Sequence, residues 1–386
     1  MVKNFKHLLH YNYIFTGSGL SALMTVYEMV LSKRFTDKTI LMLDIDSKKT
    51  NDRTWCFWDN ESTNYEDLIA KKWHMALFAD ENFSRKFEMK PYSYNMIRGL
   101  DFYDSIFKTI ENHATIVFKT ENIESFIDEK DFCLVKTDVE TYKCDKVFNS
   151  IFDPKKVLEQ TKFPLLHQHF IGWFIKTNKP VFDENCASFM DFSVEQRGNT
   201  RFMYVLPTSP TEALVEYTLF SKDLLQDEEY EMEIQKYIKN LGITDFEITD
   251  TERGNIPMTC YEFWKQNTKN IVNIGSAGGW TKASTGFTFK NTTKNAKKLV
   301  SFLSHENDFR NFFKKDKFWF YDLLFIDVLY KNNEVGSRVF ASLFRKGQTE
   351  LIFKFLDQET SFWEDLQVML KCPTVLFMKA LFRRIL

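Results

Sequence analysis

The chain has little glycine and proline, and its cysteines are scattered. Its 386 residues include only 13 glycines and 8 prolines, and no proline-rich linker separates domains. The six cysteines contain no Cys-x-x-Cys pair, which disfavours a zinc site or a disulfide framework and favours free cytosolic thiols. His167 and His169 share one strand face but lack a third ligand nearby, so no metal site is predicted.

The chain also lacks an excess of charge and a long apolar run. Its 51 Lys and Arg residues against 53 Asp and Glu residues give a net charge of -2, which argues against nucleic acid as a partner. No stretch approaches the roughly 20 apolar residues of a membrane span, and Met1–His7 has no apolar signal-peptide core. We therefore expect a cytoplasmic protein that at most lies on a membrane.

Phenylalanine is abundant. The chain has 40 phenylalanines, 16% aromatic residues and 44% hydrophobic residues. This composition is sufficient for one large domain or two interleaved domains, since single cores rarely grow past about 300 residues. The aromatic side chains either fill a core or line a long apolar tunnel, and composition alone favours the core.

The segment Tyr11–Leu23 is typical of a strand that breaks into a glycine turn and opens a helix. Gly17 permits a tight turn, and Gly19 permits close approach of the backbone to a pyrophosphate at the helix start, Leu20. Ala22 occupies the third small position. The alternative is a buried strand and turn without a ligand.

The context of this turn favours a dinucleotide site. After the helix, a second apolar run ends at Asp44, roughly 20 residues past the turn, where an acid hydrogen-bonds a ribose hydroxyl. An adenine dinucleotide is therefore predicted, and the position of the site near the N-terminus favours FAD over NAD.

A second glycine loop follows the apolar run 270–274. Small residues at a strand-to-helix turn let backbone amides face an anion, here the flavin pyrophosphate and ribityl chain. The predicted cofactor contacts are Gly275, Ala277, Gly278 and Gly279, and Lys282, Ser284, Thr285 and Gly286 would line the same loop. The alternative is an ordinary strand-to-helix turn.

Between these loops, Asn51–Trp58 follows the acid-ended strand as a polar loop that runs into an aromatic cluster. This octapeptide closely resembles the corresponding stretch in the bacterial lycopene β-cyclase family, whose members are flavoproteins of carotenoid biosynthesis. Further stretches resemble the same family: 97–102, 145–150, 168–173, 190–192, 202–207, 213–218 and 274–287. The family usually has proline where Ala283 stands, and Ala22 relaxes the glycine turn.

The resemblance implies an α/β fold like that of the aromatic hydroxylase and geranylgeranyl reductase superfamily. A discontinuous Rossmann-type FAD domain would carry an inserted, mostly antiparallel substrate sheet and a helical C-terminal region. The predicted boundaries are 1–65 with 95–155 and 245–300 for the FAD domain, 66–94 with 156–244 for the sheet, and 301–386 for the helical region.

The resemblance also implies a function. Lycopene, or another acyclic carotenoid, would be cyclised at its ψ end groups to β-ionone rings by an isomerase of the intramolecular lyase type. FAD would be active in its reduced form, with NADPH or NADH as reductant, without net redox change. No obligate protein partner is evident. The implied contacts are Arg53 for the cofactor, and Trp55, Phe57, Trp58, Trp280, Thr285 and Gly286 for the substrate.

Two alternatives stay open. One is a redox flavoenzyme of the same fold, either an isoprenoid reductase or an aromatic monooxygenase. The other is a non-enzymatic carotenoid carrier that keeps FAD as a relic. The redox enzyme would consume reduced nicotinamide stoichiometrically. The carrier would bind pigment equally well after a candidate catalytic acid is replaced.

Glu216 is the candidate acid. It lies on an apolar strand, and a carboxyl group in apolar surroundings has a raised pKa because its charged form loses solvation. Strand alternation leaves open whether the side chain faces water. The resemblance implies that Glu216 matches an essential glutamate of the family, whose paired acids are here reduced to one because Tyr217 follows.

The C-terminal segment predicts helices with large apolar faces and a basic end carrying Lys379, Arg383 and Arg384. Such a face can fill a helical core or lie on an anionic membrane. With a water-insoluble substrate implied, we predict peripheral association with the inner face of the cytoplasmic membrane.

Overall fold

The structure is a computed structural model that describes residues 8–61 and 63–386, apart from the side chain of Lys346. The segment Met1–His7, on which the signal-peptide prediction rests, lies outside the described residues. Among the described residues, no helix is both long and apolar enough to cross a bilayer.

The strands belong to three sheets. In chain order they are β1 (His10–Thr16), β2 (Ile40–Asp44), β3 (Thr54–Asp59), β4 (Ile69–Trp73), β5 (Met75–Asp80), β6 (Phe83–Glu88), β7 (Ser93–Arg98), β8 (Ile116–Thr120), β9 (Ile123–Asp128), β10 (Cys133–Thr137), β11 (Thr141–Asn149), β12 (Leu166–Thr177), β13 (Cys186–Asp191), β14 (Thr200–Pro207), β15 (Glu212–Ser221), β16 (Phe246–Met258) and β17 (Ile271–Asn273).

The helices surround these sheets. They are α1 (Leu20–Ser32), α2 (Gly99–Ile110), α3 (Pro154–Leu158), α4 (Asp227–Asn240), α5 (Phe289–Phe302), α6 (Lys317–Lys331), α7 (Gly336–Lys346), α8 (Thr349–Leu356), α9 (Phe362–Met369) and α10 (Thr374–Ile385).

The first sheet has the order β8-β2-β1-β11-β10-β9, and β17 also pairs with β11. Its β8, β2, β1, β11 and β17 strands are parallel, while β9 and β10 are antiparallel. All five residues of β2 are buried, as expected for a parallel strand covered on both faces. One face packs against α1, α2 and α5. The α/β class predicted from the sequence is thereby confirmed.

The second sheet has the order β16-β12-β15-β14-β13-β5-β6 and is antiparallel except for the β13–β5 pair. One of its faces packs against α4. Strand alternation turns the other face toward the C-terminal helices α6, α7 and α8. A third sheet has the order β3-β7-β4, and in the chain the β5 and β6 strands of the second sheet stand between its β4 and β7 strands.

The strand β16 forms an edge of the second sheet. The predicted boundary at residue 245 assigns this strand to the cofactor domain. In the fold, however, β16 pairs with β12 along its length. Its charged side chains other than Glu252 are exposed, and charges on an edge strand are a common protection against edge pairing.

A buried ion pair joins the second glycine loop to the C-terminal helices. Lys282 Nζ lies 2.9 and 3.0 Å from the two carboxylate oxygens of Asp322 on α6, and both side chains are almost fully shielded from solvent. On the same helix, Asp327 makes two 2.6 Å hydrogen bonds with Arg384 of α10. Two ion pairs on α6 therefore link the loop to α10.

Asp322→Ala should lower the free energy of unfolding by about 3–5 kcal/mol, because it leaves the Lys282 ammonium buried without its partner. Glu88→Ala is the matched control, since it removes a carboxylate from the exposed Lys90–Glu88 pair and should cost at most about 1 kcal/mol. Urea unfolding measures both. Equal losses would contradict a structural role for the buried pair.

Candidate active site

The first glycine turn has the geometry that a pyrophosphate site needs. Gly17 adopts a φ of 92°, and a Cβ there would collide with the Ser150 hydroxyl. Gly19 caps α1 without a side-chain hydrogen bond, and the space where its Cβ would stand is open. Backbone amides at the start of α1, from Leu20 onward, are therefore available to an anion.

Asp44 connects this turn to the end of β2. Its Oδ2 accepts hydrogen bonds from the Ser18 amide at 2.6 Å and the Ser18 hydroxyl at 2.8 Å, and its Oδ1 accepts one from the Asp46 amide at 2.9 Å. Burial opposes ionisation, but these hydrogen bonds outweigh it and lower the pKa of Asp44. A carboxylate has about four acceptor positions, so one is left for a ribose hydroxyl, and that role stays a prediction.

The second glycine loop packs directly on the first. Gly275 has a φ of 58°, and a Cβ at this residue would collide with the Ser21 hydroxyl in the first turn of α1. Gly278 approaches the Asn273 carbonyl too closely for a side chain, and Gly279 has a φ of 70°. Ala277 is buried beside them. The fold thus brings together the two loops that were predicted to hold FAD.

The same loop continues onto the second sheet. Gly286 has a φ of 73°, and a Cβ there would overlap the Oε1 of Gln168 on β12. Gln168 Oε1 and Thr285 Oγ1 are buried and have no hydrogen-bond partner among the described residues. Buried polar atoms normally have a partner. Two unpaired atoms beside the second glycine loop fit the polar edge of an isoalloxazine ring, so the residues present fit FAD.

The loop 51–53 docks on the start of α2. The Arg53 carbonyl accepts a 2.7 Å hydrogen bond from the Gly99 amide, the Asn51 side chain accepts one from Leu100, and Asp52 accepts one from Tyr103. The guanidinium of Arg53 is exposed and donates to the Asp52 carbonyl. Its predicted cofactor contact is compatible with this exposure and stays a prediction.

Glu216 lies on β15, where all residues after the first are buried. Its neighbours Val215 and Tyr217 point toward α4, so Glu216 points to the opposite face, toward the C-terminal helices. Its side chain is 6% exposed and accepts a hydrogen bond from Thr218. Strand alternation did not decide whether Glu216 faces water, and in the structure its side chain faces the interior.

A second carboxyl group, which the sequence interpretation missed, lies two strands away. Gly172 on β12 pairs with Glu216 of β15 on one side and with Glu252 of β16 on the other. A Cβ at residue 172 would stand 3.5 Å from Glu216 Cβ and 3.4 Å from Glu252 Cγ. Glycine at this position leaves no side chain of β12 between the two glutamates, and the atom nearest to that space is Leu214 Cδ1, at 2.8 Å.

The two carboxyl groups raise each other's cost of ionisation. Burial raises the pKa of Glu216 well above its usual range, and the Glu252 charge raises it further. Burial and the negative charge of Asp250 raise the pKa of Glu252, while a 2.6 Å hydrogen bond from Thr54 and the positive charges of Arg98 and Arg53 oppose that rise. Glu216 is therefore the member of the pair that holds a proton more firmly.

Glu216 and Glu252 open into an apolar cavity with an empty volume of about 1060 Å³, including its mouth. The second sheet forms one wall, and β3, the second glycine loop, α7 and α8 form the other. Eight phenylalanines line it: Phe170, Phe189, Phe202, Phe220, Phe287, Phe289, Phe340 and Phe344. The phenylalanine excess thus serves a cavity as well as the core.

Beside Glu216 lie three protic side chains, of which Tyr94 is buried and Tyr204 and Cys56 are partly buried. The Tyr94 and Tyr204 hydroxyls hydrogen-bond each other, and Tyr204 is the register partner of Glu216 on β14. The Cys56 thiol lines the same cavity. Burial raises the pKa of Tyr94, Tyr204 and Cys56, so all three are neutral at physiological pH.

The predicted substrate residues divide into two groups. Trp55, Thr285 and Gly286 line the cavity together with Glu216. Phe57, Trp58 and Trp280 are buried beside it in packed clusters, where Phe57 stacks on Phe289 at 4.5 Å and Trp58 meets Phe287 edge-on at 4.6 Å. For these three rings, contact with a substrate stays a prediction that the cavity lining does not support.

His167 and His169 have separate hydrogen-bond partners. His169 is buried against Tyr230 and Ser221, and burial lowers its pKa to about 4. His167 bonds the Asn255 side chain at 2.7 Å. Both face away from Glu216, on the α4 side of β12.

A family model described as lycopene cyclase protein matches residues 13–382. The chain belongs to the lycopene cyclase family. A lycopene beta-cyclase of Paracoccus sp. (strain N81106 / MBIC 01143) is 31% identical over 125 residues, which are 31% of this chain and 32% of that protein. The alignment thus spans less than two thirds of this curated relative.

Solved structures share the fold of this lycopene cyclase family member at low identity. A geranylgeranyl bacteriochlorophyll reductase-like protein from Thermoplasma acidophilum is 11% identical with a TM-score of 0.60, covering 96% of this chain and 98% of that chain. The flavin-dependent brominase Bmp2 is 13% identical with a TM-score of 0.56, covering 97% and 99%. At these identities the likeness concerns the fold alone.

Gly286→Ala should destabilise the protein by about 1–3 kcal/mol more than Gly242→Ala, because only Gly286 would displace a neighbour. Gly242 is a matched control, with a φ of 79° and open space around it. Urea unfolding measures the effects. Adding Gln168→Ala to Gly286→Ala should recover part of the loss, and equal effects of both glycine substitutions would contradict the predicted contact.

Proposed function

We propose that this chain is a lycopene β-cyclase that converts the ψ end groups of lycopene to β-ionone rings without net redox change. The observation that carries the proposal is Glu216, a buried carboxyl group that faces a phenylalanine-lined cavity beside the second glycine loop. Family membership and the Paracoccus relative, whose name is lycopene beta-cyclase, support the same reaction.

In the proposed reaction, the protonated carboxyl of Glu216 gives its proton to the terminal double bond of the substrate. The neighbouring double bond attacks the resulting tertiary cation and closes the ring, and loss of a proton restores neutrality. A group that remains protonated near neutral pH is suited to this step, and the raised pKa of Glu216 supports that assignment.

The aromatic wall suits a cationic intermediate. Phenylalanine, tyrosine and tryptophan faces attract cations, with about 2 kcal/mol or more for a desolvated contact. Trp55 and Tyr204 line the cavity together with the phenylalanines. The same wall excludes water, which would otherwise capture the cation as an alcohol.

The cofactor that best fits the two glycine loops is FAD. Gly17 and Gly19 would hold its pyrophosphate, Asp44 its ribose, and Gly275 to Gly279 its central chain, with Gln168 and Thr285 near its polar ring edge. Reduced FAD supplies negative charge that favours cation formation. NADPH or NADH would serve only as reductant.

Glu216→Gln should lower the cyclisation rate by about 10²–10⁴-fold, because it removes the acid and keeps its shape. Pigment analysis of a lycopene-accumulating bacterial host measures the result: β-carotene with the parent chain, and lycopene with the variant at equal abundance. Glu212→Gln is the matched control, since Glu212 begins the same strand and pairs with Lys176 near the surface.

Unchanged lycopene with the parent chain would contradict the proposal. Stoichiometric consumption of NADPH by the purified protein with an isoprenoid or aromatic substrate would instead identify a redox flavoenzyme of the same fold. Cyclisation at equal rates by parent and Glu216→Gln would keep the reaction and exclude Glu216 as its acid.

We also propose that α9 and α10 rest on the membrane that holds the carotenoid. The inner side of α10 packs on α6 through Ala380, Leu376 and Leu381. Its outer side carries an exposed apolar stripe, which is Val375, Met378, Phe382 and Ile385, and α9 adds Phe362, Trp363, Leu366 and Leu370. Exposed Lys371, Lys379 and Arg383 would face anionic lipid headgroups.

The double variant Phe382→Ser/Trp363→Ser should reduce sedimentation with phosphatidylglycerol vesicles by about tenfold, since it removes two large exposed apolar side chains from the proposed membrane face. Leu158→Ser and Val139→Ser remove exposed apolar side chains elsewhere and serve as controls. Equal binding by the α9/α10 double variant and the parent would contradict this face.

A further inference from the structure

The strands β15, β12 and β16 place Glu216 and Glu252 on either side of Gly172. We propose that the two carboxyl groups form one acid that holds a single proton, with Glu252 as the positioning residue that keeps this proton on Glu216. The inference rests on the proposed function for its chemistry, although the proton sharing itself does not depend on a substrate.

The geometry brings the two glutamates to one cavity. A Cβ at residue 172 would stand 3.5 Å from Glu216 Cβ and 3.4 Å from Glu252 Cγ, and no side chain of β12 separates the two residues. Both line the same apolar cavity. The charge of Glu252 raises the pKa of Glu216, and carboxyl pairs that interact in this way titrate in two separated steps.

The surroundings decide which member keeps the proton. Glu252 receives a 2.6 Å hydrogen bond from the Thr54 hydroxyl and lies nearer to the positive charges of Arg98 and Arg53. In the part of the chain that the structure describes, Glu216 accepts a side-chain hydrogen bond from the Thr218 hydroxyl alone. Ionisation therefore falls on Glu252, and its charge keeps Glu216 protonated.

The other groups around the two glutamates do not supply a second acid to the cavity. Cys56 and the Tyr94–Tyr204 hydroxyl pair are neutral because burial raises their pKa. Asp250 is paired with Arg98 at 2.8 Å at the sheet edge. The inner face of β12 presents Gln168, Phe170 and Phe174 beside Gly172, none of which ionises. The glycine loop presents Thr285 and Thr288, and α7 and α8 present apolar side chains.

The shared proton gives the proposed reaction a balanced cycle. The O–H bond of Glu216 breaks as a C–H bond forms at the terminal alkene carbon, which leaves two carboxylates facing a tertiary cation. After ring closure, a C–H bond breaks to form the ring double bond, and its proton returns to the pair. Repulsion between the two carboxylates favours that return, so no external proton is consumed.

The pH dependence of the rate tests the role of Glu252. Glu216 acts in its protonated form, so activity is lost as the pH rises through its pKa. Glu252→Gln removes the negative neighbour and lowers that pKa, so the midpoint of the high-pH limb should fall by about one unit or more, and activity above it by about tenfold. Glu252→Asp, which restores the charge, should return the midpoint toward that of the parent.

Glu247→Gln is the matched control, because Glu247 is an exposed residue of the same strand. It should leave the pH profile unchanged. A parent-like pH profile for Glu252→Gln would overturn the proposal, because the proposal requires the negative charge of Glu252 to raise the pKa of Glu216.

Infrared difference spectroscopy reads the proton without substrate or turnover. At neutral pH, Glu216→Gln should lose a protonated-carboxyl C=O band, because Glu252 is ionised. Glu252→Gln should keep that band and lose it at a lower pH than the parent does. Loss of the band in Glu252→Gln but not in Glu216→Gln would assign the proton to Glu252 and overturn the proposal. Bands that behave as expected in a protein that makes no β-carotene would refute the proposed function alone.

Discussion

A carboxyl group buried in a hydrocarbon-lined cavity keeps its proton unless something nearby stabilises its charge. Near Gly172, Glu216 has no such stabilisation among the described residues. Apolar side chains surround its carboxyl group, and the charged group that acts on it is the carboxyl of Glu252. The remaining parts of the site depend on this condition. The antiparallel sheet supplies the register, the missing Cβ supplies the space, and the helices α7 and α8 form the opposite apolar wall of the cavity.

Much of the fold was predictable because its signals are local. A strand, a glycine turn and an acid-ended second strand need only neighbouring residues, and the structure brings the two predicted glycine loops together through Gly275 and Ser21. The identity of the family followed from the octapeptide Asn51–Trp58, which is confirmed by the match over residues 13–382.

The carboxyl pair was not predictable in the same way, because its partners are 36 residues apart in the numbering and meet only through the register of β12. Glu252 stands among exposed charges, so its local sequence carries no sign of a buried acid. Gly172 was the available signal: a glycine inside a strand often marks a close approach. Alternation could not choose the inner face for Glu216 either, since apolar neighbours lie on both sides of β15.

The two ion pairs of α6 make the second glycine loop depend on α10. Asp327 is buried and takes its counter-charge from Arg384 in α10, while Asp322 on the same helix anchors Lys282. Removing α10 would therefore leave the Asp327 carboxylate without its counter-charge, in the helix that supports the second glycine loop. A truncated chain would lose support for this loop for reasons unrelated to lipid, whereas substitutions confined to the outer stripe leave that support intact.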